Sequence, residues 1–113
     1  MSQRSEGGQV RVVLTTAPTL QAAEELGSAL VGERLAACAN LLPGVLSIFR
    51  WAGDVQREGE VVVLLKTTAD RLEALRTRLV ELHPYEVPEM LALPVEAGHE
   101  AYMSWVRAEV DAP

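Results

Sequence analysis

The sequence predicts an α+β fold, one antiparallel sheet carrying two helices on a single face. Three observations predict it. Apolar residues recur at helical spacing in two separate stretches, runs rich in Val, Thr and Leu lie on either side of each stretch, and the breaks between them are short. The 113 residues are 49% apolar, enough for one hydrophobic core and not two.

Val10 to Ala17, rich in Val and Thr, reads as the first strand. Pro18 and Thr19 break it, and Thr19 suits an N-cap. Leu20, Ala23, Leu26 and Leu30 then define an amphipathic helix from Leu20 to Glu33. Leu35 to Asn40 is a strand of small residues. Pro43-Gly44 is expected to bulge or bend it, and Val45 to Trp51 continues it. Ala52-Gly53-Asp54 offers a turn, and Val55 starts the second arm of a long hairpin. Gly59 is a candidate bulge in that arm, and Val61 to Leu65 is unbroken apolar before Lys66. Asp70 and Glu73 have the spacing of a capping box. Leu72, Leu75, Leu79 and Leu82 make the face of a second helix, which Pro84 stops near His83. Met90 to Val95 is a short strand. Glu100 to Val110 closes the chain as a short C-terminal helix with Tyr102, Trp105 and Val106 on one side. The order β-α-β-β-α-β plus a helix is the ferredoxin-like split β-α-β pattern. A single domain is expected over residues 10–110, after a disordered tail over residues 1–9.

Ten basic against 16 acidic residues give a formal charge of −6. This argues against a nucleic-acid partner and against docking on an anionic membrane, both of which call for a basic face. No apolar run approaches the ~20 residues of a membrane span, and the N-terminus lacks the apolar region of a signal peptide. Cys38 is the only cysteine, so no internal disulfide forms. A cytoplasmic protein is the expectation.

A strand with one wet face alternates apolar and polar residues. Val61 to Leu65 does not alternate, nor does Val12 to Leu14. The second face of the sheet is therefore expected to meet something apolar, and one domain has no spare helices for that. Another copy of the chain is the economical cover. The long hairpin points the same way, since its tip overreaches a small sheet and exposes edges.

Glu33-Arg34-Leu35-Ala36-Ala37-Cys38-Ala39-Asn40 is similar to the first block of the CutA divalent-cation tolerance family. Pro43-Gly44 and Ser47-Ile48-Phe49-Arg50-Trp51 with Gly53 resemble its central hairpin. Leu64-Leu65-Lys66-Thr67 looks like the strand leading into its second helix. His83-Pro84-Tyr85-Glu86-Val87-Pro88-Glu89 resembles its most recognisable motif, and Leu93-Pro94-Val95, Tyr102 and Trp105 resemble its tail. The resemblance runs from about Val10 to Val110. It implies a trimeric ferredoxin-like fold, similar to the PII signalling proteins, whose hairpins pair around a threefold axis. It also implies a part in tolerance of divalent metals such as copper, with no reaction attached.

Among single residues, His83 admits two readings: a metal ligand, since imidazole suits copper and zinc, or a helix C-terminal residue held by the last carbonyls. Glu86 and Glu89 follow it in an extended, proline-flanked segment and can form a mixed nitrogen–oxygen cation site with it, or simply satisfy amides and a cation such as Lys66. Cys38 reads as a small buried hydrophobe or as a soft copper ligand. Tyr85 is expected at a subunit seam. Trp51, Trp105 and Tyr102 are candidate interface or cleft-wall aromatics, and Lys66 and Arg50 candidate cleft cations. His99 suits a helix cap. Where copper-binding relatives are held to carry a first-strand thiol, this chain has Thr15-Thr16, and it has Leu82 rather than a second histidine.

These readings lead to a non-enzymatic homotrimer that binds divalent cations, copper or zinc, weakly at intersubunit clefts and requires no cofactor. Two alternatives are a PII-like sensor of a small anionic ligand, lined by Lys66, Arg50 and Tyr85, and a structural or anchoring trimer. No catalytic triad, metal-binding helix motif or nucleotide loop suggests an enzyme.

Overall fold

The computed structural model describes residues 6–111. Four strands and three helices follow in the expected order: β1 (Val10–Ala17), α1 (Leu20–Gly32), β2 (Cys38–Trp51), β3 (Asp54–Thr68), α2 (Leu72–Leu82), β4 (Leu91–Pro94) and α3 (Glu100–Val110). The sheet order is β2-β3-β1-β4, and every pair is antiparallel.

Thr19 caps α1 as its sequence suggests, its hydroxyl accepting from the Ala22 N–H at 3.0 Å. The other end of α1 closes differently from a glycine stop. Arg34 takes φ 61°, the Arg34 N–H donates to the Val31 carbonyl, and the Leu35 N–H reaches back to the Leu30 carbonyl at 2.9 Å. That is a Schellman closure with arginine where glycine is usual. Leu35 to Ala37 are then buried as a connection, and β2 proper starts at Cys38 rather than Leu35.

Pro43-Gly44 does interrupt the ladder. Leu42 pairs with Val62 and Val45 with Glu60, so β2 carries one extra residue there, with Gly44 at φ 81°. The expected bulge at Gly59 is absent. Gly59 pairs regularly with Leu46, because the single extra residue on β2 already takes up the bend. At the tip, Ala52 (φ 53°) and Gly53 (φ 86°) make a two-residue turn with both central φ positive, the type I′ geometry that matches strand twist.

The capping box at Asp70 and Glu73 does not form. Ala69–Arg71 make a 3₁₀ turn first, the Thr68 hydroxyl donates to the Asp70 carboxylate, and Glu73 pairs with Arg76. The tail expectation also needs correcting. Residues 1–5 lie outside the described residues, but Glu6–Gly8 form a 3₁₀ turn and the Gln9 carbonyl accepts from the Ala69 N–H at 2.8 Å. A Cβ on Gly7 would stand 3.2 Å from that of Asp70, so glycine permits this close approach.

Helices α1 and α2 lie on one face. Leu26, Leu30, Leu75 and Leu79 pack there against Val13, Ala17, Val61, Val63 and Leu65 as the main core. On the other face α3 covers only one end, where Val106 and Val110 pack on Val10 and Ala37. Beyond α3 that face is apolar and uncovered within the chain. Register puts Val12, Leu14, Val62, Leu64, Leu42, Leu91 and Leu93 together on it, all half-buried or exposed, with Leu91 at 56%. The hairpin past the bulge projects further still, with Leu46, Ile48, Phe49, Trp51 and Val55 exposed, and gives the molecule its 51 Å long axis.

Candidate functional site

Pro84 ends α2, and the chain turns extended at His83 (ψ 137°), which sends the imidazole back under the end of β1. His83 is 7% exposed, and both ring nitrogens are engaged. Nε2 lies 2.6 Å from the Thr16 carbonyl, an atom that only accepts, so Nε2 carries the proton. Nδ1 accepts from the Tyr85 N–H at 3.1 Å. The two bonds define a neutral imidazole that ties β1 to the segment after α2.

Tyr85 follows with its ring 4.8 Å from that of His83, and its hydroxyl donates to Glu60 Oε2 at 2.7 Å. Glu60 sits opposite Val45, just beyond the bulge, and is 9% exposed. Burial pushes its carboxyl up most strongly. Hydrogen bonds from Ser47, Tyr85 and Thr16 outweigh burial and hold it below the usual glutamate range. Tyr85 shifts the opposite way. Burial first, then its bond to Glu60 and the charges of Glu60 and Glu58, raise its hydroxyl pKa well above the ordinary value.

A second polar group lies further along the same face. Cys38 pairs across the ladder with Lys66. The Lys66 ammonium lies 3.8 Å from Cys38 Sγ and also bonds the Asn40 side chain, while Cys38 Sγ is 3.6 Å from Asn40 Oδ1. Tyr102 comes in from α3, its ring tilted against that of Trp105 with centroids 5.6 Å apart. Burial and then the neighbouring Cys38 raise its hydroxyl pKa.

This arrangement sits on a chain with clear relatives. Residues 11–109 match the model of the CutA1 divalent ion tolerance protein family. The chain belongs to that family. A divalent-cation tolerance protein CutA of Thermus thermophilus is 47% identical over 96 residues, 85% of this chain and 93% of its own length. One from Yersinia pestis is 44% identical over 99 residues, 88% and 83% of the two chains. The crystal structure of CutA from Xylella fastidiosa superposes with a TM-score of 0.89 at 42% identity, covering 91% of this chain and 99% of that one. That of CutA1 from Oryza sativa gives 0.90 at 34% identity, covering 96% and 100%.

Within this CutA chain the residues singled out from sequence fall into three places. His83 and Tyr85 are together, with Glu86 and Glu89 exposed just beyond them. Cys38, Lys66, Tyr102 and Trp105 form the second group. Four residues of β3 separate Lys66 from Val62, the partner of Thr16, so Cys38 lies roughly 13 Å along the sheet from His83. Arg50 and Trp51 stand exposed at the hairpin tip, remote from both. Among the described residues of one chain, no three His, Cys, Asp or Glu side chains gather in a cluster that could hold a metal. His99 starts α3 through its carbonyl, which accepts from the Met103 N–H at 3.0 Å, and its ring makes no cap.

Sequence reasoning passed over Glu60, Thr16, Ser47 and Asn40. Glu60 had a signal: it is a carboxylate set against the apolar run Val61 to Leu65, opposite the Pro43-Gly44 break. The Thr16 contribution is partly a carbonyl, which leaves no mark in a sequence.

Proposed function

We propose that this CutA chain works as a non-enzymatic homotrimer contributing to divalent-cation tolerance in the cytoplasm. The uncovered apolar sheet face carries the reading. Seven aliphatic positions from all four strands share that face, and an extended hairpin with apolar residues on both sides projects past it. Surfaces of this kind mark interfaces between protein copies. Relatives bearing the divalent-cation tolerance name supply the role.

Cation binding in this reading is weak and lies at the seams between copies. Glu86 and Glu89 are exposed carboxylates beside the His83–Tyr85 turn, free to join ligands from a neighbour. His83 adds imidazole nitrogen only by releasing the Tyr85 N–H from Nδ1, which costs a buried hydrogen bond and lowers affinity. Isothermal titration of the purified protein with copper and zinc tests this. Micromolar or weaker binding, reduced in Glu86→Gln and Glu89→Gln with the assembly unchanged, is expected. Full binding by the double variant would remove these carboxylates from the site.

The Lys66 ammonium beside Cys38 and Asn40 favours a second reading, a PII-like seat for a small anion at the seam. A metabolite screen by thermal shift, repeated on Lys66→Met, separates the two. Stabilisation that needs Lys66 and no metal favours the sensor.

A further inference from the structure

At the end of the sheet away from the hairpin, a cleft of about 450 Å³ opens between the 3₁₀ turns and the C-terminal end of α3. Its volume lies in the range of small-molecule sites, roughly 300–1,000 Å³. Two guanidinium groups from separate elements line it, Arg71 after β3 and Arg107 on α3.

Neither arginine is fully engaged among the described residues. Arg71 Nη2 donates to the Arg34 carbonyl at a long 3.4 Å, and its Nε is shielded from solvent with no hydrogen-bond partner. Buried donors are nearly always paired, and one left orphaned is a cost that a missing partner explains. Arg107 is 17% exposed at its side chain, and its Nη2 is held by Glu100 and, at 3.4 Å, by Ser104. Its other donors remain for a ligand.

The charges around the cleft narrow the ligand. Guanidinium edges match planar, two-oxygen anions. Asp70 and Asp111 also line the cleft and, with the Glu100 carboxylate on Arg107, bring three negative charges against the two positive ones. A dianion such as phosphate is disfavoured there more strongly than a monoanionic carboxylate. We propose that this cleft is a binding site for a small carboxylate-bearing molecule, gripped by Arg71 and Arg107. Binding draws the Arg71 guanidinium forward so that Nε–H gains its acceptor. The cleft begins at Thr68, two residues of β3 (roughly 7 Å) past Lys66 and six (roughly 20 Å) past Val62, the partner of Thr16, and its lining shares no residue with either group described above.

Arginine Nε–Hε resonances of the ¹⁵N-labelled full chain report on this directly. Acetate and inorganic phosphate are the probes, titrated at constant ionic strength. The expected result is a downfield, saturating shift of the Arg71 Hε signal with acetate, and weaker binding of phosphate. Arg107→Gln should weaken acetate about tenfold, the loss of one charge-assisted contact. Arg71→Lys keeps the charge without the fork and should abolish saturation at Arg107 Hε. If that variant fails to fold, Arg107→Gln alone decides. An Arg71 Hε signal already downfield without ligand overturns the proposal. So does a shift that never saturates and matches that of exposed Arg57, or phosphate binding as tightly as acetate.

Discussion

His83 holds two main-chain groups at once, the Thr16 carbonyl and the Tyr85 N–H, and its replacement orphans both. His83→Ala is therefore expected to cost about 2–6 kcal/mol of stability, at roughly 1–3 kcal/mol for each of the two groups left unpaired. Urea unfolding of the variant checks it, and a loss under 1 kcal/mol would mean that the two bonds matter little. Glu60 gives a prediction in pH. Its folded pKa is depressed, so in acid the unfolded chain binds the proton first. The stabilisation is present above the unfolded value, about 4.3, and is lost as pH falls through the lower folded value. Glu60→Gln should flatten the acid limb of a stability–pH curve and leave its neutral plateau shape alone. The chain's two tyrosines, Tyr85 and Tyr102, are both raised. Tyrosinate absorbance should therefore stay low near pH 10 and rise only at higher pH, as the stabilisation of the neutral hydroxyls is lost. The sequence makes His83 and Tyr85 conspicuous as a motif. It hides that their other partners are a carbonyl 67 residues away and a carboxylate 25 residues away, because pairing across a fold has no local spacing.

The elements were mostly readable because their punctuation is chemical. Pro18-Thr19 begins α1, Pro84 ends α2, and Pro43-Gly44 breaks β2, each through a backbone restriction that the residue itself imposes. Gly59 and the Asp70–Glu73 spacing misled for the complementary reason. A permissive residue allows a bulge without requiring it, and a capping pattern loses when Thr68 offers Asp70 a nearer donor. Gly44, at φ 81°, is one of two positions, with Gly53 at φ 86°, where the hairpin depends on glycine. Gly44→Val should destabilise by about 1–3 kcal/mol, the strain of a left-handed β-branched residue. Thermal unfolding of the variant against wild type measures it, and an unchanged Tm would show that the bulge tolerates a side chain.

At the scale of the molecule, the apolar run Val61 to Leu65 divides between two faces. Val61, Val63 and Leu65 enter the core, while Val62 and Leu64 join the uncovered face with Val12 and Leu14. The failure to alternate was therefore legible in the sequence as a second apolar surface. What covers it was not, because self-association depends on shape as well as composition. In the homotrimer proposed above, neighbouring copies remove these side chains from water at roughly 25 cal/mol per Å². A charge placed among them should oppose assembly much more than folding, since the helices bury the opposite face. Sedimentation equilibrium of the wild-type chain beside Leu64→Glu tests the central claim most directly. The account predicts three times the chain mass for wild type and the mass of one chain for the variant, still folded by circular dichroism. A wild-type chain that sediments as a monomer, or a variant that stays trimeric, would contradict it.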